Sequence, residues 1–170
     1  MKRFMSVLMV AMMVAMAFFS ACSDDSTTPE DNTPDPTVIE GSWLSDGSNV
    51  APLLAGLGFA SISASFASNN TYSVVATDTG GFQITFSGTY TAEASTVDGI
   101  FNITLNQSVP SAIVSEGIYE VDASMTPNQM RYEVVQTEPS LGTPPTAEAG
   151  FGSSAGGILG NSNIQVFVRQ

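Results

Sequence analysis

The feature that most constrains the fold is an alternation of apolar and polar residues with a period of two. The clearest case runs from Phe82 to Tyr90, where large apolar residues and Gly88 occupy one parity and Gln, Thr and Ser occupy the other. Successive side chains of a β-strand point to opposite faces, so this pattern is typical of a strand with one buried face. Weaker versions of the pattern recur along the chain, beginning at Tyr72, Phe101, Tyr119, Met130 and Ile164.

Together with segments 38–43 and 60–67, these runs predict about eight strands. Turn-forming residues separate them, and most of the connections between the second and seventh strands are short. Short connections favour antiparallel neighbours and therefore a meander. The predicted fold class is all-β, an antiparallel up-and-down barrel, because closure hides both the apolar face and the sheet edges. A two-sheet β-sandwich is the alternative, and a membrane-spanning barrel with a polar interior is a second rival.

Three details of this assignment are less regular. In the last strand, the pattern places Ile164, Val166 and Val168 on the apolar face and leaves Phe167 on the polar one. Residues 51–59 have a proline near their start and leucines at helical spacing, which predicts a short helix between the first two strands. Residues 136–162 are rich in Gly, Pro, Ser and Ala, and we expect them to be disordered rather than a functional loop.

The charge balance excludes several function classes. The chain of 170 residues has 4 Lys and Arg against 16 Asp and Glu, with no His. Lys2 and Arg3 are N-terminal, so the predicted domain holds only Arg131 and Arg169 as cations. Two cations cannot neutralise a phosphate backbone, which argues against nucleic-acid binding. The lack of His removes the usual zinc ligand and general base, and the single Cys rules out an intrachain disulfide.

Carboxylates are then the remaining groups for acid–base chemistry. The candidates in the domain lie at polar strand positions or in turns, which indicates solvated faces: Glu93, Asp98, Glu116, Glu120, Asp122 and Glu133. We therefore expect no enzymatic activity, no cofactor and no metal site.

The N-terminal segment is typical of a secretory signal over residues 1–21. Lys2 and Arg3 are followed by an apolar run shorter than the ~20 residues of a membrane span. The segment ends in Phe19-Ser20-Ala21-Cys22, which resembles the lipobox of bacterial lipoproteins. This resemblance implies cleavage before Cys22, acylation of its sulfur, and attachment to the membrane through that lipid.

The residues after Cys22 bear on location. The acidic pair Asp24-Asp25 resembles the surface-export signal of some Gram-negative lineages, which implies a lipid-anchored outer-membrane protein facing the medium; the periplasmic face is the alternative. The region up to residue 37 carries three prolines and no large apolar residue beyond Cys22. Such a composition predicts a disordered tether over 22–37, followed by one domain over 38–170.

Within that domain, Gly41-Ser42-Trp43 opens the first strand. The triplet resembles the Gly-x-Trp signature of lipocalins and of bacterial lipocalin-like lipoprotein domains. The resemblance spans roughly residues 38–170 and implies that a cation of the last strand, here Arg169, stacks on Trp43. It also implies binding of a small apolar ligand inside the barrel.

A set of aromatic residues is expected to line that interior: Tyr72, Phe82, Phe86, Tyr90, Phe101, Tyr119 and Tyr132. Their size favours a filled or nearly filled core, whereas the small residues of segment 60–67 would leave room for a ligand. Two functions therefore stay open at this point. One is a binder of a small apolar ligand, and the other is a surface interaction or structural module with a filled core and no ligand.

The lipobox resemblance predicts that Cys22→Ser abolishes anchoring. We expect the full chain, expressed in a Gram-negative host, to sediment with membranes and to incorporate an alkyne-labelled palmitate. The Cys22→Ser variant loses both properties because the acylated sulfur is gone, while the neighbouring Ser23→Ala variant keeps them. Palmitate label on Cys22→Ser would contradict the assignment.

Overall fold

The structure, a computed structural model, describes residues 36–170. The predicted signal, Cys22 and nearly all of the tether lie outside these residues. All described residues belong to one compact unit. Its strands are β1 Gly41–Asp46, β2 Phe59–Phe66, β3 Thr71–Asp78, β4 Gln83–Ala94, β5 Ile100–Val109, β6 Ile113–Asp122, β7 Gln129–Glu138 and β8 Gln165–Arg169. Its helix is α1 Pro52–Gly56, and short 3-10 helices cover Pro36–Ile39, Gly47–Asn49, Ser154–Gly157 and Gly160–Asn163.

The eight strands form a closed barrel in the order of the sequence. Each strand pairs antiparallel with the next, and β8 closes the ring by pairing with β1. The predicted up-and-down barrel is therefore confirmed, and the two-sheet alternative is not what forms. The short helix predicted within 51–59 is confirmed as α1. It begins at Pro52 because the pyrrolidine ring of proline fixes φ at a value that suits the first helical turn.

One parity of each strand faces the interior. On β2, for example, Ile62, Ala64 and Phe66 are buried while Ser63 and Ser65 are exposed. The apolar set continues around the ring as a single core of Trp43, Ile62, Ala64, Phe66, Tyr72, Ala76, Tyr90, Phe101, Ile103, Leu105, Tyr119, Met130 and Phe167. An apolar interior with mostly polar outward positions is the reverse of the arrangement in a lipid-facing barrel.

The two ends of the barrel differ. Strands β1, β3, β5 and β7 run toward one end, which we call the open end; α1 and the long β7–β8 connection lie there. The opposite end, the closed end, receives the 3-10 helix Pro36–Ile39, whose Ile39 is fully buried in the core. This helix plugs the barrel where the described part of the chain enters it.

The Gly-x-Trp triplet forms the base of this plug. The Trp43 indole Nε1 donates a hydrogen bond to the Ile39 carbonyl at 2.7 Å, and the Arg169 guanidinium carbon lies 4.5 Å from the centre of the Trp43 ring. Arg169 Nη2 also donates to the Val38 carbonyl at 2.5 Å. Gly41 has φ +122°, and a Cβ there would lie 2.9 Å from Arg169 Nη1. The predicted stacking is thus present, and it explains why the triplet begins with Gly.

The face assigned to the last strand was wrong. Gln165 and Phe167 are the buried residues of β8, while Val166 and Val168 are only partly covered. The register explains the difference, because Phe167 pairs with Met130 of β7, which points inward. Both parities of this strand carry apolar residues, so its local pattern does not reveal the inner face.

The disorder predicted for 136–162 was also wrong. Strand β7 continues to Glu138, and two 3-10 helices follow in the connection to β8. We call residues 139–164 the outer strap, because they return along the outside of the barrel before β8 begins. Its central part contacts the outward side of β7, where Arg131 lies 4.2 Å from the ring of Phe151.

Close approach of β6 and β7 predicts a strict need for glycine at position 117. A Cβ on Gly117 would lie 2.0 Å from the Glu133 carbonyl oxygen and 2.7 Å from the Val134 Cα, both of which are backbone atoms. We expect Gly117→Ala to lower the free energy of unfolding by about 3 kcal/mol, the upper range for overpacking. Chemical denaturation measures the loss.

Gly56→Ala provides the matched control for this substitution. No atom lies within 4 Å of a Cβ at position 56, at the end of α1, and Ala favours helix over Gly. We expect its stability to stay within about 1 kcal/mol of the wild type. Equal stability of the two variants would show that the β6–β7 approach is not rigid.

Candidate ligand-binding cavity

A cavity of about 350 Å³ occupies the half of the barrel nearer the open end. The volume falls in the ~300–1,000 Å³ range of small-molecule sites. Strands β2, β3 and β4 supply an apolar wall, and α1 and the start of β2 add two further apolar residues near the mouth. These residues are Leu54, Phe59, Ile62, Ala64, Phe66, Val74, Ala76 and Phe86.

Small inward residues create this space. Ala64 of β2 and Ala76 of β3 are buried on the cavity wall, at positions where other strands carry aromatic rings. Of the small residues in segment 60–67, Ala64 alone lines the cavity, because the serines at 63 and 65 point outward. The expectation that the small residues of segment 60–67 leave room for a ligand therefore holds for Ala64 alone.

The opposite wall, which we call the polar wall, carries no charge and holds polar groups beside the apolar Leu105, Val134 and Phe167. Strands β5 to β8 and the end of the outer strap contribute Gln107, Ser115, Tyr132, Asn163 and Gln165 to the lining. None of the lining residues is Asp, Glu, Lys or Arg. The side formed by β2–β4 is therefore apolar except for the phenol of Tyr72, and the other neutral hydrogen-bonding groups lie on the side formed by β5–β8.

Tyr132 is the central group of the polar wall. It lies on the inward face of β7, paired with Gln165 of β8, and its ring packs edge-on against Phe167 with centres 5.8 Å apart. Burial raises the pKa of Tyr132, and the nearby phenol of Tyr72 raises it further. The hydroxyl therefore stays protonated at neutral pH and can both donate and accept a hydrogen bond.

Gln165 holds the mouth of the cavity in place. Its Oε1 accepts a hydrogen bond from the Ala51 amide at 2.9 Å, and its Nε2 donates to the Ser45 hydroxyl. The residue therefore connects β8 to β1 and to the start of α1. Because these bonds use both the oxygen and the nitrogen of its amide, we infer that Gln165 mainly holds the cavity in shape and is not a main hydrogen-bonding group for a ligand.

Asn163 reaches the cavity from the outer strap. Its Nδ2 donates to the Val134 carbonyl at 3.0 Å and to the Ser154 hydroxyl at 3.2 Å. Ser154 in turn donates its backbone amide to Glu133 Oε1 at 3.1 Å and its hydroxyl to the same oxygen. The Gly152 amide donates to Glu133 Oε2 at 2.6 Å.

This network makes Glu133 the residue that sequence reasoning most misjudged. It was expected on a solvated face, but it is fully buried, on the outward side of β7 beneath the outer strap. The strap supplies backbone amides to its carboxylate, which satisfies the buried charge with hydrogen bonds. The local alternation correctly placed Glu133 on the face of β7 that points away from the core. Its burial comes from the outer strap, and the residues next to Glu133 in the sequence give no indication of that contact.

The predicted aromatic residues divide into three groups. Tyr72, Phe86 and Tyr132 line the cavity. Tyr90, Phe101 and Tyr119 are buried toward the closed end, where Phe101 and Tyr119 stack at 5.0 Å. The assignment of Phe82 to the interior was wrong, since 67% of it is exposed. It lies in the β3–β4 turn, where its amide bonds Asp78, and β4 begins only at Gln83.

The interior is thus filled at one end and hollow at the other. Near the closed end, Phe66 packs edge-on against Tyr90 at 5.2 Å, and the Tyr90 hydroxyl donates to the Ala67 carbonyl. Toward the open end, the alanines and the polar wall leave the cavity. Each sequence alternative, a filled core or a ligand cavity, therefore describes one half of the barrel.

Two absences concern residues 36–170 alone. In this part of the chain, no three Asp, Glu, His or Cys side chains are grouped so that they could hold a metal ion. Nor does it contain a helix of the length and hydropathy needed to cross a membrane.

Comparison with protein-family models, with curated proteins and with solved structures finds no match to this chain.

The buried network predicts that Glu133→Gln loosens the outer strap. The amide of Gln keeps one acceptor oxygen and replaces the other with a donor, so one of the bonds from Gly152 and Ser154 is lost and the other no longer has a charged acceptor. Bonds to a charged acceptor contribute about 1.5–3 kcal/mol. We expect hydrogen exchange at these two amides to accelerate at least about tenfold.

Glu116→Gln is the control for charge removal. Glu116 lies on the outward face of the neighbouring strand β6 and is exposed, and substitutions at such surface positions usually change stability by no more than about 0.5 kcal/mol. We expect it to leave the exchange of the strap unchanged. Equal exchange in wild type and Glu133→Gln would mean that other contacts hold the strap.

Proposed function

We propose that this protein is a lipid-anchored outer-membrane protein that binds a small, mainly apolar ligand inside its barrel. The observation that carries the binding proposal is the 350 Å³ cavity, with its apolar wall and its few neutral polar groups. Binding sites for small molecules combine these two features. The proposal of an anchor on Cys22 is supported by the lipobox resemblance alone.

The chemistry of the lining supports binding without catalysis. Acid–base and nucleophilic mechanisms use His, a carboxylate, Lys, Tyr or an activated Cys or Ser. The cavity lining contains Ser115, Tyr72 and Tyr132 of these types, but no His, carboxylate or Lys that could activate them as a base. We therefore propose that the protein binds and releases its ligand without altering it chemically.

The surface interaction module is the second candidate, and one observation favours it. Several large apolar residues are exposed on connections or strand ends at the open end: Leu53, Leu57, Phe82, Val109, Leu141 and Ile158. Exposed apolar residues gathered in one region are typical of contact with a partner. In cells that carry the protein, a Leu57→Ser/Phe82→Ser double variant would then lose a cross-linked protein partner that the wild type retains.

The cavity predicts detectable binding of a neutral apolar probe. We expect the chain from residue 23 onward, purified without detergent, to show a ligand adduct by native mass spectrometry or to bind added decan-1-ol with one-to-one stoichiometry. Ala76→Leu places a larger side chain in the cavity wall, so we expect affinity for the probe to fall at least about tenfold, or 1.4 kcal/mol.

Ser63→Leu serves as the control because it adds the same side chain on the outward face of the adjacent strand β2. We expect it to bind the probe like the wild type. A chain that carries no adduct and takes up no apolar probe would overturn the binding proposal and favour the interaction module.

A further inference from the structure

The cations of the barrel are kept away from the cavity. Within residues 36–170 they are Arg131 and Arg169. Arg131 lies on the outer surface, between Glu120 and the ring of Phe151. Arg169 is stacked on Trp43 at the closed end. Neither residue lines the cavity, so a buried anionic group would find no positive partner there.

The mouth of the barrel carries negative charge instead. Three strands that run toward the open end finish in a carboxylate residue, Asp46 on β1, Asp78 on β3 and Glu138 on β7. An anion that approaches the mouth meets these like charges, and burial of an unpaired charge costs several kcal/mol. Both effects disfavour a ligand with a carboxylate or phosphate group.

The polar wall of the cavity offers uncharged hydrogen-bonding groups instead of cations. In the part of the chain that the structure describes, no group hydrogen-bonds the Tyr132 hydroxyl, although the residue lies on the cavity wall. Asn163 uses its Nδ2 for Val134 and Ser154, and none of the described hydrogen bonds within residues 36–170 uses its carbonyl oxygen as the acceptor. A hydroxyl or amide group of a ligand can pair with both, because it donates and accepts.

We infer that the cavity selects an uncharged ligand with an apolar body and one hydroxyl or amide end, and discriminates against carboxylates of the same size. This inference rests on the proposed binding function. The apolar body lies against the wall of β2–β4, and the polar end faces Tyr132 and Asn163. The volume equals that of about a dozen water molecules at roughly 30 Å³ each, which suits a ligand of about that many non-hydrogen atoms.

Decan-1-ol and decanoate form a matched pair of probes for this selectivity. They have the same chain length and differ in the head group, which is ionised in decanoate at neutral pH. For the chain from residue 23 onward, we expect calorimetry to show decan-1-ol binding at least about tenfold tighter than decanoate. The preference should shrink as the pH falls toward the pKa of the acid, because protonation makes decanoate neutral.

Two tyrosine variants test recognition of the head group. Tyr132→Phe removes the free hydroxyl and keeps the ring, so we expect about a fivefold to tenfold loss of affinity for decan-1-ol and a smaller preference over decanoate. Tyr90→Phe removes a hydroxyl at the closed end, outside the cavity lining, and should leave both affinities unchanged. Circular dichroism establishes that both variants keep the barrel.

The outcomes separate the two proposals. If neither probe binds at any pH, the proposed binding function fails. If decanoate binds as tightly as decan-1-ol at neutral pH, the binding function stands and the selectivity is overturned. If Tyr132→Phe binds like the wild type, the assignment of Tyr132 as the recognition group is overturned.

Discussion

The contact between the first and last strands is the interaction on which the rest of this structure depends. Strands β1 and β8 pair through Trp43 with Arg169 and Leu44 with Val168, a much shorter ladder than those between the other strands. Side chains extend the seam: Arg169 covers Trp43, and Gln165 bonds both Ser45 and the start of α1. A sheet with one apolar face and two free edges gains its enclosed core only when this seam closes.

The same seam organises the interior along the barrel. At the closed end, β8 presents Arg169 to the Trp43–Ile39 plug; in the middle, Phe167 packs on Tyr132; toward the open end, Gln165 lines the cavity. The strand that closes the ring thus contributes to the filled half and to the hollow half. This is why the candidate site cannot be separated from the closure of the fold.

The outer strap adds a second layer to this arrangement. Its backbone amides bond the carboxylate of Glu133, and through Ser154 this contact positions Asn163 at the cavity wall. A connection rich in Gly and Ser suits this task, because small residues let backbone amides approach a buried acceptor closely. A composition that favours disorder in isolation is here ordered by one buried charge.

Much of the fold could be predicted from local patterns. Alternation identified the strands, short turns identified the meander, Pro52 and the leucines identified α1, and the triplet at Gly41 anticipated the Trp43–Arg169 stack. The misjudged residues are those whose environment depends on distant segments. Phe82 follows the alternation but lies in the turn just before β4 begins. Phe167 lies in a strand that carries apolar residues on both faces. Glu133 is covered by a connection about twenty residues further along the chain.

The sequence by itself determined the strands, their order and the apolar face of most of them, because a period of two is a property of neighbouring residues. Only the tertiary structure decided where space remains inside the barrel and which polar groups face it. That space is the difference between the volume that eight strands enclose and the volume that their inward side chains occupy. Both quantities depend on the register around the closed ring, which no local pattern contains.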